Sequence, residues 1–226
     1  MTPKRYIIIL FMFISQILLT IFLISNYSPH QIMLLAIILS LYSLFLSSIG
    51  FLIAIENITA LHTEDLAIIA SFSAMLYATN FFSMLLPSLT FYIIPFAAGL
   101  AFYLPASILY GAFQEICRKK GSSFLLLIGY GFISMFFSPA IFWFPYFLAW
   151  GSILEITGLY SKKRNINGFF FGFTGANLAI DYMLVAWGYW RPLFIVIPAI
   201  IGDGILTIIG YKFGTKLGEE LVSIIH

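Results

Sequence analysis

Charged residues are scarce in this chain, since Asp, Glu, Lys and Arg make up only 9% of its 226 residues while 62% are hydrophobic. Soluble domains carry about one quarter charged residues. Together with a mean hydropathy of +1.03, this composition excludes an ordinary soluble domain and predicts an all-α, polytopic integral membrane protein. The formal net charge of +2 is spread over short basic clusters between apolar runs, so no nucleic-acid partner is expected.

Cysteine and histidine are almost absent as well. The single cysteine, Cys117, excludes an intramolecular disulfide and a zinc site built on cysteines. The three histidines lie outside the apolar runs, so a haem or histidine–metal centre within the membrane is not expected, and we predict no metal and no cofactor. The chain also has no phosphate loop of the G-x-x-x-x-G-K type, so it is not expected to hydrolyse ATP itself.

Apolar runs separated by polar turns predict about eight membrane-spanning helices. The first run could be a signal peptide, but its length and the lack of a small-x-small cleavage site favour a retained helix. In the fourth span, Pro105 predicts a kink or an interruption. The predicted spans are residues 6–24, 32–55, 66–86, 97–116, 122–137, 140–160, 168–187 and 193–221.

The polar segment after the second span is the best candidate for a boundary. We therefore predict an N-terminal transmembrane hairpin (residues 1–56), a cytoplasmic linker (57–65) and a six-helix core (66–226). With the N-terminus in the cytoplasm, ten of the eleven Lys and Arg residues fall in internal segments and only Arg191 lies outside. This bias predicts eight spans in the cell membrane with both termini cytoplasmic.

Small residues are regularly spaced in the third span, where Ala70, Ala74 and Ala78 recur every four positions. On a helix this spacing places the three side chains on one face. Such a smooth face allows a second helix to approach closely, either within this chain or from a partner protein. We call these three residues the alanine stripe.

Several polar and aromatic residues fall in the outer half of the membrane or near its midplane when depth is counted from helical rise. Ionisable groups at such depth are costly and are candidates for function. They predict a site for a planar polar ligand that enters from outside. The alternative is that neighbouring helices satisfy each polar group and that each Trp belongs to an interfacial belt. The candidate ligand-binding residues are Asn80, Trp143, Trp150, Asn177, Asp181 and Asp203.

No catalytic residues are predicted. An intramembrane enzyme needs a paired acid and base or a metal set, and the sequence offers neither. Asp181 and Asp203 could form an aspartyl pair, but neither stands in a recognisable catalytic motif. We therefore expect a protein that is not an enzyme.

From Leu66 onward the layout resembles the substrate-binding (S) component of energy-coupling factor (ECF) transporters. The resemblance is carried by six spans with both ends inside, by the alanine stripe in the cytoplasmic half of its helix, and by the tail Gly210-Tyr-Lys-Phe-Gly214-Thr-Lys-Leu-Gly218. More loosely, the order of Gly121, Ser138-Pro139 and Gly151-Ser-Ile-Leu-Glu155 is similar to the subgroup that handles hydroxymethylpyrimidine and other thiamine precursors. The N-terminal hairpin departs from the usual six-helix pattern.

The resemblance implies a subunit for uptake of a vitamin or vitamin precursor. It implies that Asn177, Asp181 and Asp203 hydrogen-bond a ligand in the outward half of the membrane. Trp143 or Trp150 would stack on this ligand. Residues 87–95 and the segment around Ser138-Pro139 would cover it. The alanine stripe would dock on a transmembrane coupling (T) subunit, and two ATPase subunits would supply energy. The alternative function is an accessory subunit of a larger membrane complex with no ligand of its own. A stand-alone carrier is less favoured, because the two halves show no inverted repeat.

Overall fold

The computed structural model of the chain describes residues 3–85, 99–137, 143–161 and 163–225. These residues form α-helices with no β-strand among them, which confirms the all-α prediction for this part of the chain. Four of the helices, α1, α2, α7 and α8, are long and apolar enough to cross a membrane. The helices are α1 (Pro3–Ser25), α2 (Ile32–Asn57), α3 (Thr63–Leu85), α4 (Leu104–Ile116), α5 (Ser122–Phe137), α6 (Phe144–Tyr160), α7 (Arg164–Trp187) and α8 (Leu193–Ile225).

Prolines mark two of the helix starts. Pro105 lies in the first turn of α4, directly after a π-helical turn at Gly99–Tyr103. The helix geometry therefore changes next to Pro105, where a kink or an interruption was predicted. Pro145 lies in the first turn of α6, where its missing N–H has no intrahelical partner to lose. By contrast, α8 carries Pro198 inside the helix. The helix α7 begins at Arg164, four residues before the predicted Gly168.

The central helix of the bundle is α6. Eleven of its 17 residues are buried, and they face all sides of the helix. A helix that is hydrophobic all round must be surrounded by others, and α6 indeed packs against α2, α5 and α7. Small residues permit this crowding: Gly50 of α2 lies against Ser152, and Gly151 lies against Phe124 of α5.

Close packing of α8 against α4 depends on the glycines of the predicted tail. A Cβ atom on Gly214 would overlap the backbone carbonyl oxygen of Ile108, and one on Gly218 would crowd Ala112. Two glycines of α7 also permit a close approach to α8, since a Cβ atom on Gly168 would crowd the backbone of Ile208 and one on Gly172 would crowd that of Asp203. The glycine-spaced tail is therefore used for packing within this chain.

The first two helices belong to the same bundle as the rest. On α7, the Phe173 ring stacks with Phe13 of α1 at a centroid distance of 4.8 Å. Further along, Tyr182 donates a hydrogen bond from its hydroxyl to Ser43 Oγ of α2, at 2.8 Å. Contact between α1 and α2 themselves includes a hydroxyl–hydroxyl bond of 3.2 Å from Ser15 to Tyr42. The predicted division of the chain at residues 57–65 stays a prediction.

Ion pairs gather the basic segments at one end of the bundle. Lys119 Nζ lies 2.6 Å from Asp65 Oδ2, and the hydrogen bond from this ammonium group lowers the pKa of the Asp65 carboxyl. Arg164 pairs both with Glu115, at 3.1 Å, and with Glu219. These segments are far apart in sequence and separated by apolar helices. We call this the basic end, because it collects residues that the charge bias assigns to the cytoplasm.

The glycine contacts lead to a test of the packing. Gly214→Ala should lower the free energy of unfolding by about 1–3 kcal/mol, because the added methyl group meets the α4 backbone, which cannot rotate away. Gly158→Ala is the matched control: a Cβ atom there meets none of the described residues within 4 Å, so the change should raise the free energy of unfolding by about 0.5–1 kcal/mol. Unfolding of both variants in detergent, followed by circular dichroism, would contradict the packing if the two effects were equal.

Candidate ligand-binding site

The predicted ligand-binding residues fall mainly on three helices. Asn177 and Asp181 lie on α7, Asp203 on α8 and Trp150 on α6, and all four are buried. Trp143 directly precedes α6 and is half-buried. Asn80 is half-buried on α3, which packs against α4 and α5. The structure therefore brings five of the six residues to neighbouring helices around α7 and places Asn80 apart.

Asn177 and Asp181 lie one turn apart on the face of α7 that meets α1. Thr20 Oγ1 of α1 donates a hydrogen bond of 3.0 Å to Asp181 Oδ2. Within the described residues, Asp181 Oδ1 and both side-chain amide atoms of Asn177 have no hydrogen-bond partner, and neither does the Thr174 hydroxyl. These side chains are 0% exposed, so bulk water does not reach their polar atoms.

A further buried polar residue, Gln16, lies on α1 near these side chains of α7. Gln16 is fully buried; its Nε2 donates to the Met12 carbonyl at 3.0 Å, and its Oε1 has no partner among the described residues. The helices α1 and α7 run in parallel, with Phe13 opposite Phe173 and Thr20 opposite Asp181. This register places Gln16 at the level of Asn177. We call Gln16, Thr20, Thr174, Asn177 and Asp181 the α1–α7 polar layer.

Sequence reasoning missed Gln16 and Thr20. A signal was present, because the two are polar, lie four residues apart and interrupt an otherwise apolar run. That spacing places them on one face of a helix. What the sequence could not supply was the partner helix that this face meets.

Aromatic side chains cover a different face of α7. Trp150 Nε1 donates to the Phe171 carbonyl at 3.0 Å, and the Tyr146 hydroxyl donates to the Gly175 carbonyl at 3.3 Å. A Cβ atom on Gly175 would collide with the rings of Tyr103 and Trp150, so glycine lets both rings approach the helix. At 100° per residue, Gly175 faces almost opposite to Asn177.

Trp143 extends this group of rings toward the far end of α7. Its ring lies 5.3 Å from Tyr146 in an edge-on arrangement and stacks with Tyr182 at 6.0 Å. The predicted stacking residues Trp143 and Trp150 thus belong to one group and are in contact with protein rings in this structure. We call Tyr103, Trp143, Tyr146, Trp150 and Tyr182 the aromatic cluster.

Asp203 joins the aromatic cluster from α8. It is 4% exposed and lies close enough to Tyr103 for an electrostatic interaction. Its Oδ1 atom has no hydrogen-bond partner in the part of the chain that the structure describes. The predicted site therefore divides into two groups on different faces of α7: the α1–α7 polar layer, and the aromatic cluster with Asp203.

Glu155 differs from both aspartates because its carboxylate is fully engaged. Its Oε1 accepts a hydrogen bond of 2.8 Å from the Gly121 amide, and its Oε2 accepts one of 3.1 Å from the Ser123 amide. These amides stand at the start of α5, where backbone N–H groups have no partner within the helix. Glu155 thus caps α5 from the neighbouring helix α6.

The alanine stripe faces outward. Ala70, Ala74 and Ala78 are all exposed, and the opposite side of α3 is buried in the bundle. There, Ser73 Oγ donates to the Leu126 carbonyl of α5 at 2.9 Å. None of the described helices covers the stripe, and its role as an interface for a partner helix stays a prediction.

Two predicted elements of the site, residues 87–95 and Ser138-Pro139, lie outside the described residues. Comparison of the chain with protein-family models, curated proteins and solved structures finds no match. The functional argument therefore proceeds from the geometry of the described helices.

The different hydrogen bonding of the buried carboxylates leads to a paired test. Glu155→Gln should lower the free energy of unfolding by about 1.5–3 kcal/mol, because it replaces charge-assisted bonds to two amides. Asp203→Asn should leave the free energy of unfolding unchanged or raise it by about 1 kcal/mol, since it removes a buried charge whose Oδ1 accepts no hydrogen bond from the described helices. Thermal unfolding of both variants in detergent would contradict this assignment if Asp203→Asn were the more destabilising change.

Proposed function

We propose that this chain is the membrane-embedded, substrate-binding subunit of an uptake transporter of the ECF type. The observation that carries the proposal is the buried Asp203 carboxylate, which interacts electrostatically with Tyr103 of the aromatic cluster and whose Oδ1 has no hydrogen-bond partner among the described residues. Natural proteins tolerate such a destabilising group mainly where function needs it. A ligand that donates a hydrogen bond to the carboxylate would offset the free-energy cost of burying it.

The aromatic cluster and Asp203 together suit a small, flat, polar ligand such as a vitamin or its precursor. Trp143 and Trp150 would stack on the ligand after a change in their ring contacts, and Asp203 would accept a hydrogen from an N–H or O–H group. Ligand sites of this kind combine apolar and aromatic walls with a few polar groups that fix orientation. Asn80, Asn177 and Asp181 stay predictions as ligand contacts, because Asn80 lies apart on α3 and the other two lie on another face of α7.

Ligand uptake would be coupled to the ATPase subunits through α3. We propose that all eight helices span the cell membrane, with both termini and the basic end in the cytoplasm. The helix α3 starts at the basic end, where Asp65 meets Lys119, so the alanine stripe begins close to the cytoplasmic surface. This position suits a transmembrane coupling subunit that carries two ATPase subunits on the same side.

A second candidate function is an accessory subunit of a larger membrane complex that binds no ligand. It is favoured by the exposed alanine stripe, which would serve any partner helix equally well, and by the protein rings that already contact Trp150. It gives no reason for the unpartnered Asp203 oxygen. The two functions are distinguished by which partner proteins stop binding when the alanine stripe is altered.

Enlarging the alanine stripe tests the coupling. Ala74→Trp should reduce co-purification of ATPase subunits, identified by mass spectrometry, at least about tenfold, because helices that pack through small residues cannot accommodate an indole. Leu44→Trp is the control, since Leu44 is an exposed residue of α2 away from the stripe (55% exposed). Thermal stability should be the same in both variants. The proposal fails if Ala74→Trp and Leu44→Trp retain ATPase subunits equally, or if the protein lost by Ala74→Trp belongs to a complex without ATPases.

A further inference from the structure

An apolar groove lies between α1 and α7 on the surface of the bundle. Its volume is about 310 Å³. Ile9 and Phe170 are buried in it, whereas Tyr6 and Leu10 at its edge are 45% and 56% exposed, so the groove is open to the surroundings of the bundle. The side chains that line it are Tyr6, Ile9, Leu10, Phe13 and Phe170. We call this the α1–α7 groove.

The groove runs along the two helices from the basic end toward the middle of the bundle. Its α1 residues are spaced three and four positions apart, which places them on one helix face. From Tyr6 to Phe13 the helix rises about 10 Å. Both α1 and α7 are long and apolar enough to cross a membrane, and they run in parallel, so the groove points from the membrane surface into the hydrocarbon core.

Two cationic side chains stand where the groove begins. Lys163, which directly precedes α7, places its Nζ 3.4 Å from the Tyr6 hydroxyl oxygen and 5.9 Å from the centre of the Tyr6 ring. Arg5 is the neighbour of Tyr6 on α1, and both cations are exposed. The mouth of the groove therefore carries positive charge directly beside an apolar surface.

Neither cation is neutralised by an acidic side chain of the described helices. The ion pairs of the basic end use other cations, namely Arg118, Lys119 and Arg164. A free anion such as phosphate would use the two charges and leave the groove empty, and an apolar helix would fill the groove without using the charges. A lipid with an anionic headgroup uses both, and the cytoplasmic leaflet supplies such lipids.

We propose that the α1–α7 groove binds one anionic phospholipid of the cytoplasmic leaflet, with an acyl chain along Ile9, Phe13 and Phe170 and the phosphate between Arg5 and Lys163. The Tyr6 hydroxyl accepts from Lys163 and keeps its own hydrogen to donate to a phosphate oxygen. The site gives a function to α1, which lies outside the six-helix pattern. It goes beyond the proposed transport function and does not depend on the aromatic cluster or Asp203.

The test is native mass spectrometry of the purified full chain in a non-ionic detergent. The protein is titrated with dioleoyl phosphatidylglycerol or with dioleoyl phosphatidylcholine, which has the same acyl chains and no net charge. The first phosphatidylglycerol should bind at least about tenfold more tightly, because each cation near the headgroup contributes about fivefold in affinity. Equal affinities for the two lipids overturn the proposal.

Two double variants with the same change of charge localise the site. Arg5→Gln with Lys163→Gln should abolish the preference for phosphatidylglycerol. Lys212→Gln with Lys216→Gln is the matched control, since both lysines are exposed on α8 and do not line the groove. The preference should persist in this control. A loss of preference that is equal in the two double variants would indicate a diffuse attraction to the whole basic end and contradict the proposal.

The contribution of the groove is tested separately from that of the headgroup. Ile9→Trp, which fills the groove, should weaken binding of phosphatidylglycerol at least about tenfold, whereas Ile14→Trp, at a 44% exposed position of α1 outside the groove, should not. Glycerol 3-phosphate, which has the phosphate but no acyl chain, should not displace the lipid, and this holds as the test if Ile9→Trp fails to fold. Displacement by glycerol 3-phosphate, or equal binding by the two Trp variants, would show an anion site without a lipid groove.

Discussion

The structure depends on one constraint: polar atoms placed among apolar helices must find partners, because neither lipid nor a packed interior supplies them. Many side chains meet the constraint locally, as when Ser73 Oγ donates to the Ile69 carbonyl one turn earlier in α3, at 2.8 Å. Glu155 meets it across helices by capping α5. In the part of the chain that the structure describes, Asp181 and Asp203 each keep one carboxylate oxygen without a hydrogen-bond partner. These exceptions lie on α7 and on its neighbour α8, and the functional proposal rests on them.

Two small-residue patterns with the same four-residue spacing have different uses in this chain. The glycines near the end of α8 let its backbone touch that of α4, so their face is hidden inside the bundle. The alanine stripe of α3 is left uncovered by the described helices. The glycine face of α8 is thus packed within the chain, whereas the alanine stripe of α3 is not covered by the helices that the structure describes.

Helix positions were largely predictable, whereas the site was predictable only in part. Apolar run lengths, the break at Pro105 and the ends at Trp187 and Phe137 follow from local sequence. The depth predicted for Asn177, Asp181 and Asp203 rests on helical rise and stays a prediction. Which helices meet the two faces of α7 depends on tertiary packing, and the position of Gln16 at the level of Asn177 depends on the parallel register of α1 with α7. That register is set by tertiary packing, for which no local pattern exists. The exposure of the alanine stripe is likewise a property of the whole bundle.

The most direct test of the central claim is native mass spectrometry of the protein purified from its own membranes. The account predicts a bound small molecule of vitamin size, or ATPase subunits that accompany the chain through purification. A chain that carries no small molecule and is attached stoichiometrically to a larger assembly without ATPases would contradict it, and would identify the protein as an accessory subunit.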